Sequence, residues 1–482
     1  MNFENGLDSS SKKTGIHKLG SNILIFTIGS FASKLMNYFL LPLYTAVLSQ
    51  RQYGIYDIVV TTINLIYPIF TLLITESTLR FALDSSSSKS KVFTLSSAVT
   101  ALSILIALAF SPLILLSSVY KDYWLFFVLY YIATAIHTLI SQFTKGIEKT
   151  KTYAIGGIIS TAVALVLNIL LLVVFKTALT GYFIASVSGL TVSSVYMFCK
   201  CRMWRYFCRI TAEDKSLLRD MLRYSIPIMP NSISWWLSTS SGKYIINYHL
   251  GVAESGLFSV AYKIPSLMTV FTSIVLSAWT ISAVEDFGSE KSKCLYSEVY
   301  NYFFTLIVVL SSVVIAGTKL ISSILFSADF YFAWRFVPML VTAYIFHDLS
   351  AFLGSVYTSS KKTQMLFTST LVGAVINVLV NIVTIPKFGT IGAAFATLIS
   401  YFIIWLIRFF NTGKIIRINY RYIHDCLCLL LIFAEMIIVT ADIKYSLYIS
   451  LVIVSVILVL QSKIIIEFSK MMLSKLKNRH SS

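Results

Sequence analysis

The chain has 482 residues, of which 57% are hydrophobic and 12% charged, and a mean hydropathy of +0.79, which excludes a soluble globular protein and describes an integral membrane one. The formal net charge is +18, yet the basic residues are scattered over short polar breaks between apolar runs, and this excludes a nucleic-acid-binding domain. No polar stretch is long enough to form a sizeable soluble domain.

Fourteen membrane spans are predicted, beginning near Gly20, Tyr53, Lys91, Asp122, Thr152, Thr180, Leu222, Ser255, Val299, Trp334, Thr363, Thr390, Tyr422 and Tyr445. The leading segment MNFENGLDSSSKKTGIHKLG lacks a small-residue cleavage pattern, so the first span is expected to be retained. With the N-terminus in the cytoplasm, 28 basic residues fall in loops on that side, Arg408 among them, and 7 on the other. Lys34, Arg80, Lys243 and Lys263 lie in or at the edge of helices. The positive-inside rule then puts both termini in the cytoplasm.

Charged residues inside spans cost roughly 2.5 to 3.5 kcal/mol each on insertion scales, which makes each a candidate for function. In the first span Lys34 shares a stripe with Thr27, Ser30 and Asn37. In the second, Glu76 precedes Arg80 by one helical turn and is expected to pair with it, and Asp57 has no evident role. The fourth span carries His137. The seventh presents Trp236, Ser240, Lys243 and Asn247 on one stripe, a mixture suited to a sugar ring and its hydroxyls. In the eighth, Lys263 is followed by Pro265, which frees the carbonyl of Ala261 from its helical hydrogen bond. The tenth holds His347 beside Asp348, a candidate proton or sodium site, and the thirteenth holds Glu435.

The second half of the chain echoes the first. Gly54 and Tyr56 match Gly256 and Phe258, Trp124 and His137 match Trp334 and His347, and Asn168 and Gly181 match Asn381 and Gly392. The fold class expected is an all-α polytopic membrane protein in which two six-helix lobes form a parallel repeat and two helices follow. The boundaries expected are residues 1–201 for the N-terminal lobe, 202–221 for a cytoplasmic linker, 222–414 for the C-terminal lobe and 415–482 for the last two helices and a tail. A parallel repeat of this kind places the substrate at the interface of the halves. The six cysteines, Cys199, Cys201, Cys208, Cys294, Cys426 and Cys428, all fall near the cytoplasmic side, and their spacing suits neither disulfides nor a metal site. No cofactor is expected.

The stretch SSGKYIINYHLGVAESGLFSVAYKIPSLMTVFTSIVLSAWTISAVEDF, Ser240 to Phe287, resembles the seventh and eighth helices of Wzx-type oligosaccharide flippases, members of the multidrug/oligosaccharidyl-lipid/polysaccharide exporter superfamily. Gly242-Lys243 corresponds to the family's Asp-Arg-like pair with the acid missing. Gly256 to Lys263 fits G-[LIV]-[FY]-x-x-A-x-[KR], and Ala278-Trp279 is the later A-W. The resemblance implies a two-lobed V of helices, like that of the multidrug exporters, in a bacterial cell membrane. The implied substrate is an undecaprenyl-pyrophosphate-linked oligosaccharide carried from the cytoplasmic to the outer leaflet, without covalent chemistry. A polysaccharide polymerase and other assembly proteins are the partners it suggests. Lys34, Lys243 and Lys263 would meet the diphosphate, with Asn37, Trp236 and Asn247 beside them, while Asp348, His347, His137 and Asp57 would couple an ion. A lipid II flippase and an ion-coupled drug exporter of the same fold are the nearest alternatives. A membrane polymerase or ligase fits less well, because no HExxH, GxSxG or phosphate-cradling glycine loop is present.

Overall fold

The computed structural model describes residue 38 and residues 40–84, 87–117, 119–211, 214–285, 290–360 and 362–480. Among these the secondary structure is helical and there is no strand, as a lipid environment requires of a chain that does not close a barrel. In chain order the helices are α1 (Leu41–Val47), α2 (Gln50–Thr71), α3 (Ile74–Leu83), α4 (Lys89–Phe110), α5 (Trp124–Gly146), α6 (Thr150–Asn168), α7 (Ala178–Lys200) and α8 (Asp214–Ser225). They continue as α9 (Met229–Leu250), α10 (Val252–Ala261), α11 (Lys263–Glu285), α12 (Glu290–Ala316), α13 (Thr318–Leu325), α14 (Val337–Ser359), α15 (Thr363–Phe388), α16 (Thr390–Thr412), α17 (Tyr422–Thr440) and α18 (Ser446–His480).

Eleven of the described helices are long and apolar enough to cross a membrane, and the chain is a multi-pass membrane protein. The expected first span lies outside the described residues. The expected seventh and eighth correspond to α9 and to α10 with α11, which are not among the eleven. Serine, asparagine and lysine lower the hydropathy of α9, whose length of 22 residues is nonetheless that of a span.

The described residues divide into two compact units, the first holding residues up to 48 and 55–233, the second 49–54 and 234–482. In the first unit, α2 runs unbroken past Thr61 and Ile63 and stops at Leu72 and Leu73, both with φ near +50°. A left-handed turn costs about 1–2 kcal/mol for each residue other than glycine. A hydrogen bond of 2.8 Å between the hydroxyls of Tyr67 and Thr75 ties the two sides of this break. Between α7 and α9 the chain forms a short 3₁₀ turn, Met203–Tyr206, and α8. Met203 and Met221 of this segment are fully buried in a cluster with Ile74, Phe93 and Phe143.

The second unit is organised around α14, whose residues are buried on nearly every side, flanked by α12, α16 and α11. Gly251, with φ +93°, makes the sharp turn from α9 into α10 that a side chain would oppose. The expected repeat partners Gly181 and Gly392 hold the same station in their own units, each near the start of a helix pressed on the end of the preceding one. A Cβ on Gly392 would stand 2.6 Å from the carbonyl oxygen of Thr384. The last two helices pack on α12. Ser312 donates to Glu435 at 2.7 Å and Thr305 donates to Gln461 at 2.9 Å, so the buried carboxylate of α17 and the amide of α18 both have partners.

Candidate functional site

Polar residues in the second unit's helices converge on Tyr262. This residue sits at the break between α10 and α11, where Pro265, in the first turn of α11, has no N–H to offer the carbonyl of Ala261. The hydroxyl of Tyr262 shares a hydrogen bond of 2.9 Å with that of Thr397 on α16, which fixes the ring. Lys243 of α9 holds its ammonium 5.9 Å from the centre of that ring, within range of a cation–π contact. Lys263 is the next residue in the chain after Tyr262, so two of the lysines singled out by insertion cost belong to this region, one by its ammonium and the other by its place in the chain. Both are half-buried. Ser255 reaches back to the carbonyl of Lys243 at 3.2 Å, tying α10 to α9.

From Tyr262 the aromatic contacts continue inward. Its ring centroid lies 6.2 Å from that of Tyr344, and Tyr344 lies 5.2 Å from the ring of His347. Trp235 and Tyr401 complete the surround of that imidazole at 5.3 and 5.1 Å. His347 Nδ1 is 2.8 Å from Asp348 Oδ1, and Thr272 donates to Oδ2 at 2.9 Å, so both oxygens of this carboxyl, 1% exposed, are engaged. A buried carboxyl held by a histidine and a hydroxyl can carry or pass a proton without exposing an unpaired charge.

Arg408 of α16 also approaches Trp235, its guanidinium carbon 5.9 Å from the centre of that ring. The expectation that it belongs to a cytoplasmic loop is corrected: it lies within the helix and is 1% exposed. Its nitrogens donate to Ser350 O at 2.8 Å, Thr370 Oγ1 at 2.9 Å, Ser369 Oγ at 3.0 Å and, more weakly, Leu366 O at 3.4 Å. A planar fork of five donors suits such an array, and none of these acceptors is a carboxylate.

The other expected site residues are distributed as follows. Lys34 and Asn37 lie outside the described residues. Trp236 packs against Tyr244 at 5.4 Å on the same face of α9, with Ser240 between them and Asn247, half-buried, farther along. In the first unit, the Nε2 of His137 is 3.4 Å from Ser193 Oγ, and Asp57 accepts from Thr61 at 3.5 Å. Both belong to the first unit, whereas the His347–Asp348 pair belongs to the second. Glu76 takes Gln142 of α5 as a hydrogen-bond partner, at 2.9 Å, in place of the expected pairing within its own helix. The residues that sequence reasoning missed are Trp235, Tyr262, Tyr344, Tyr401 and Arg408. For Tyr401 and Arg408 a signal was present, since a spacing of seven puts a phenol and a guanidinium on one face of an apolar helix.

A family model described as "Polysaccharide biosynthesis protein" matches residues 19–281, more than half of the chain. The chain is similar to an uncharacterized membrane protein, MJ1068, of Methanocaldococcus jannaschii, 25% identical over 221 residues that cover 42% of this chain and 41% of that one. It is also similar to the probable low-salt glycan biosynthesis flippase Agl15 of Haloferax volcanii, 20% identical over 208 residues, 42% of this chain and 44% of that one. The matches thus span about two fifths of the length of these relatives. Among solved structures, the lipid II flippase MurJ in an inward closed conformation superposes with a TM-score of 0.67 at 13% identity, covering 92% of this chain and 98% of that one. At that identity the likeness concerns the fold.

Proposed function

Because the chain belongs to the polysaccharide biosynthesis protein family, we propose that it is a flippase for an undecaprenyl-pyrophosphate-linked oligosaccharide repeat unit. It carries the unit from the cytoplasmic to the outer leaflet of a bacterial cell membrane by alternating access, for cell-surface polysaccharide synthesis. The observation that supports this reading is the half-buried Lys243, its ammonium 5.9 Å from the ring of Tyr262 where α10 gives way to α11, with the half-buried Lys263 next in the chain. A diphosphate must pass a region of low dielectric, where its charge is costly unless cations meet it, and lysines act there as point charges for phosphate. Trp236 and Tyr244 offer flat faces for sugar rings on the same helix as Lys243. The polyprenyl tail stays in the bilayer, both termini face the cytoplasm, and a polymerase takes up the product.

Coupling to protons through His347 and Asp348 extends this reading, since their hydrogen-bonded pair adjoins the tyrosines that lead to Lys243. Lys34 belongs to the proposal as a third cation on the path. The test is translocation of labelled lipid-linked oligosaccharide in proteoliposomes by Lys34→Ala, Lys243→Ala and Lys263→Ala variants that melt like the parent. Slowed transport by Lys243→Ala and Lys263→Ala is expected. Transport by all three at the parental rate would show that the cations do not handle the diphosphate.

A further inference from the structure

The segment between α7 and α9 has two faces of opposite character. Its inner face is fastened to the first unit. Met203 and Met221 are fully buried, Ser77 donates to the carbonyl of Met221, and Cys208 N–H donates to Thr94 Oγ1 at 3.1 Å. Asp214 forms an ion pair of 2.6 Å with Lys91. The cluster beneath comprises the first turns of α4 at Val92 and Phe93, the end of α5 at Phe143 and the end of α7 at Met197. The segment therefore lies over one common end of several spans, at the level where hydrocarbon gives way to headgroups.

Its outer face carries Arg202, Arg205, Arg209, Lys215, Arg219 and Arg223, all exposed, with Asp220 as the one exposed acid described among them. Interleaved with these cations are large apolar side chains that remain open: Trp204 is 50% exposed and Phe207 53%, and Ile210 and Tyr224 are also exposed. Basic residues alternating with aromatic ones, at the end of a bundle and lying along it, form a surface complementary to anionic lipid. A surface meant for water would not keep Trp204 and Phe207 bare, and a surface meant for neutral lipid would not need six cations.

We infer that residues 202–211 and 214–223 form a docking surface for anionic phospholipid headgroups. The arginines bind the phosphates, and Trp204, Phe207 and Ile210 enter the boundary between headgroups and chains. This assignment is independent of what the protein transports.

The test uses the full chain reconstituted in phosphatidylcholine vesicles that contain increasing fractions of brominated phosphatidylglycerol, with brominated phosphatidylcholine as the parallel series. The fluorescence lost in Trp204→Phe isolates the contribution of Trp204. Half-quenching of that contribution is expected at a mole fraction about threefold or more lower for phosphatidylglycerol than for phosphatidylcholine. The preference should disappear in the quadruple variant R202Q/R205Q/R209Q/R219Q, whose altered side chains are all exposed, and should weaken as salt is raised. Equal quenching by the two lipids would overturn the proposal, as would a preference that survives in the quadruple variant. Absence of quenching by either lipid would also overturn it and would point to an acidic protein as the occupant.

Discussion

Replacing Arg408 separates the worth of its hydrogen bonds from the cost of its charge. Its three short bonds, to Ser350 O, Thr370 Oγ1 and Ser369 Oγ, are each worth about 1.5–3 kcal/mol as bonds from a charged donor, or about 4–9 kcal/mol together. Against this stands a desolvation cost of several kcal/mol for a guanidinium that is 1% exposed. The two nearly cancel, so Arg408→Met, which removes both and keeps the bulk, should change stability by no more than about 2 kcal/mol. Arg408→Lys keeps the buried charge but brings a compact ammonium to acceptors spread over α14 and α15, and should lose about 3–5 kcal/mol. Arg408→Ala adds a cavity and should fall about 2–5 kcal/mol below the methionine variant. Equilibrium unfolding in mixed micelles, followed by tryptophan fluorescence, ranks the three. If the lysine variant matches the parent while the methionine variant loses more than about 3 kcal/mol, the charge itself is required and the cancellation described here is wrong.

A methyl group on Gly392 would meet the backbone of Thr384 at 2.6 Å, so Gly392→Ala must push α15 and α16 apart; a loss of about 1–3 kcal/mol, seen as a lower melting temperature, is expected. Pro265→Ala gives the carbonyl of Ala261 back its donor. A helix continuous through Tyr262 should then melt no lower than the parent while transport slows, and unchanged transport would show that the break has no functional part. The hydrogen bond from Lys91, followed by that from the Thr211 backbone, holds the Asp214 carboxyl below the usual carboxylate range. A depressed value stabilises the fold above the unfolded value, near 3.9, and that contribution fades as pH falls through the lower folded value. Melting curves of Asp214→Asn and the parent should therefore differ at pH 6 and converge at the acid end, whereas a constant difference would remove the ion pair as its cause.

Hydropathy made most of the spans legible, because a run of apolar residues in lipid has one stable outcome. The seventh span, predicted from the same pattern, corresponds to α9, in which serine, asparagine and lysine interrupt the apolar run. Ser241 of that helix donates to Asn377 of α15 at 2.8 Å, a partner on another helix that a single-helix reading cannot see. The cost of burying charge drew attention to Lys243, Lys263 and Asp348. It could not find Tyr262, Tyr344 and Tyr401, since a tyrosine in an apolar helix looks like core until its neighbours are known. Arg408 was misassigned for a specific reason: it stands four residues from the end of α16, and more basic residues follow at Lys414 and Arg417. A count of charges by loop places such a residue outside the membrane. Glu76 shows the converse error, in which a neighbour one turn away in sequence was preferred to Gln142 on another helix.

The breaks of α2 at Leu72–Leu73 and of α10 at Tyr262 also fall at different points of the repeat. The repeat pairs Lys263 and Pro265 with Thr61 and Ile63, where α2 is intact, so the lysine–proline pair is a departure from the shared plan.

The setting of Arg408 has an electrical consequence. A cation whose four partners are hydroxyls and carbonyls is held in place by dipoles, and dipoles do not cancel a monopole at a distance. The second unit therefore holds a buried positive charge at Arg408, set by the sequence and present before any substrate arrives. By that charge alone, the electrostatic energy of an anionic group would fall on approach to Trp235 and that of a cation would rise.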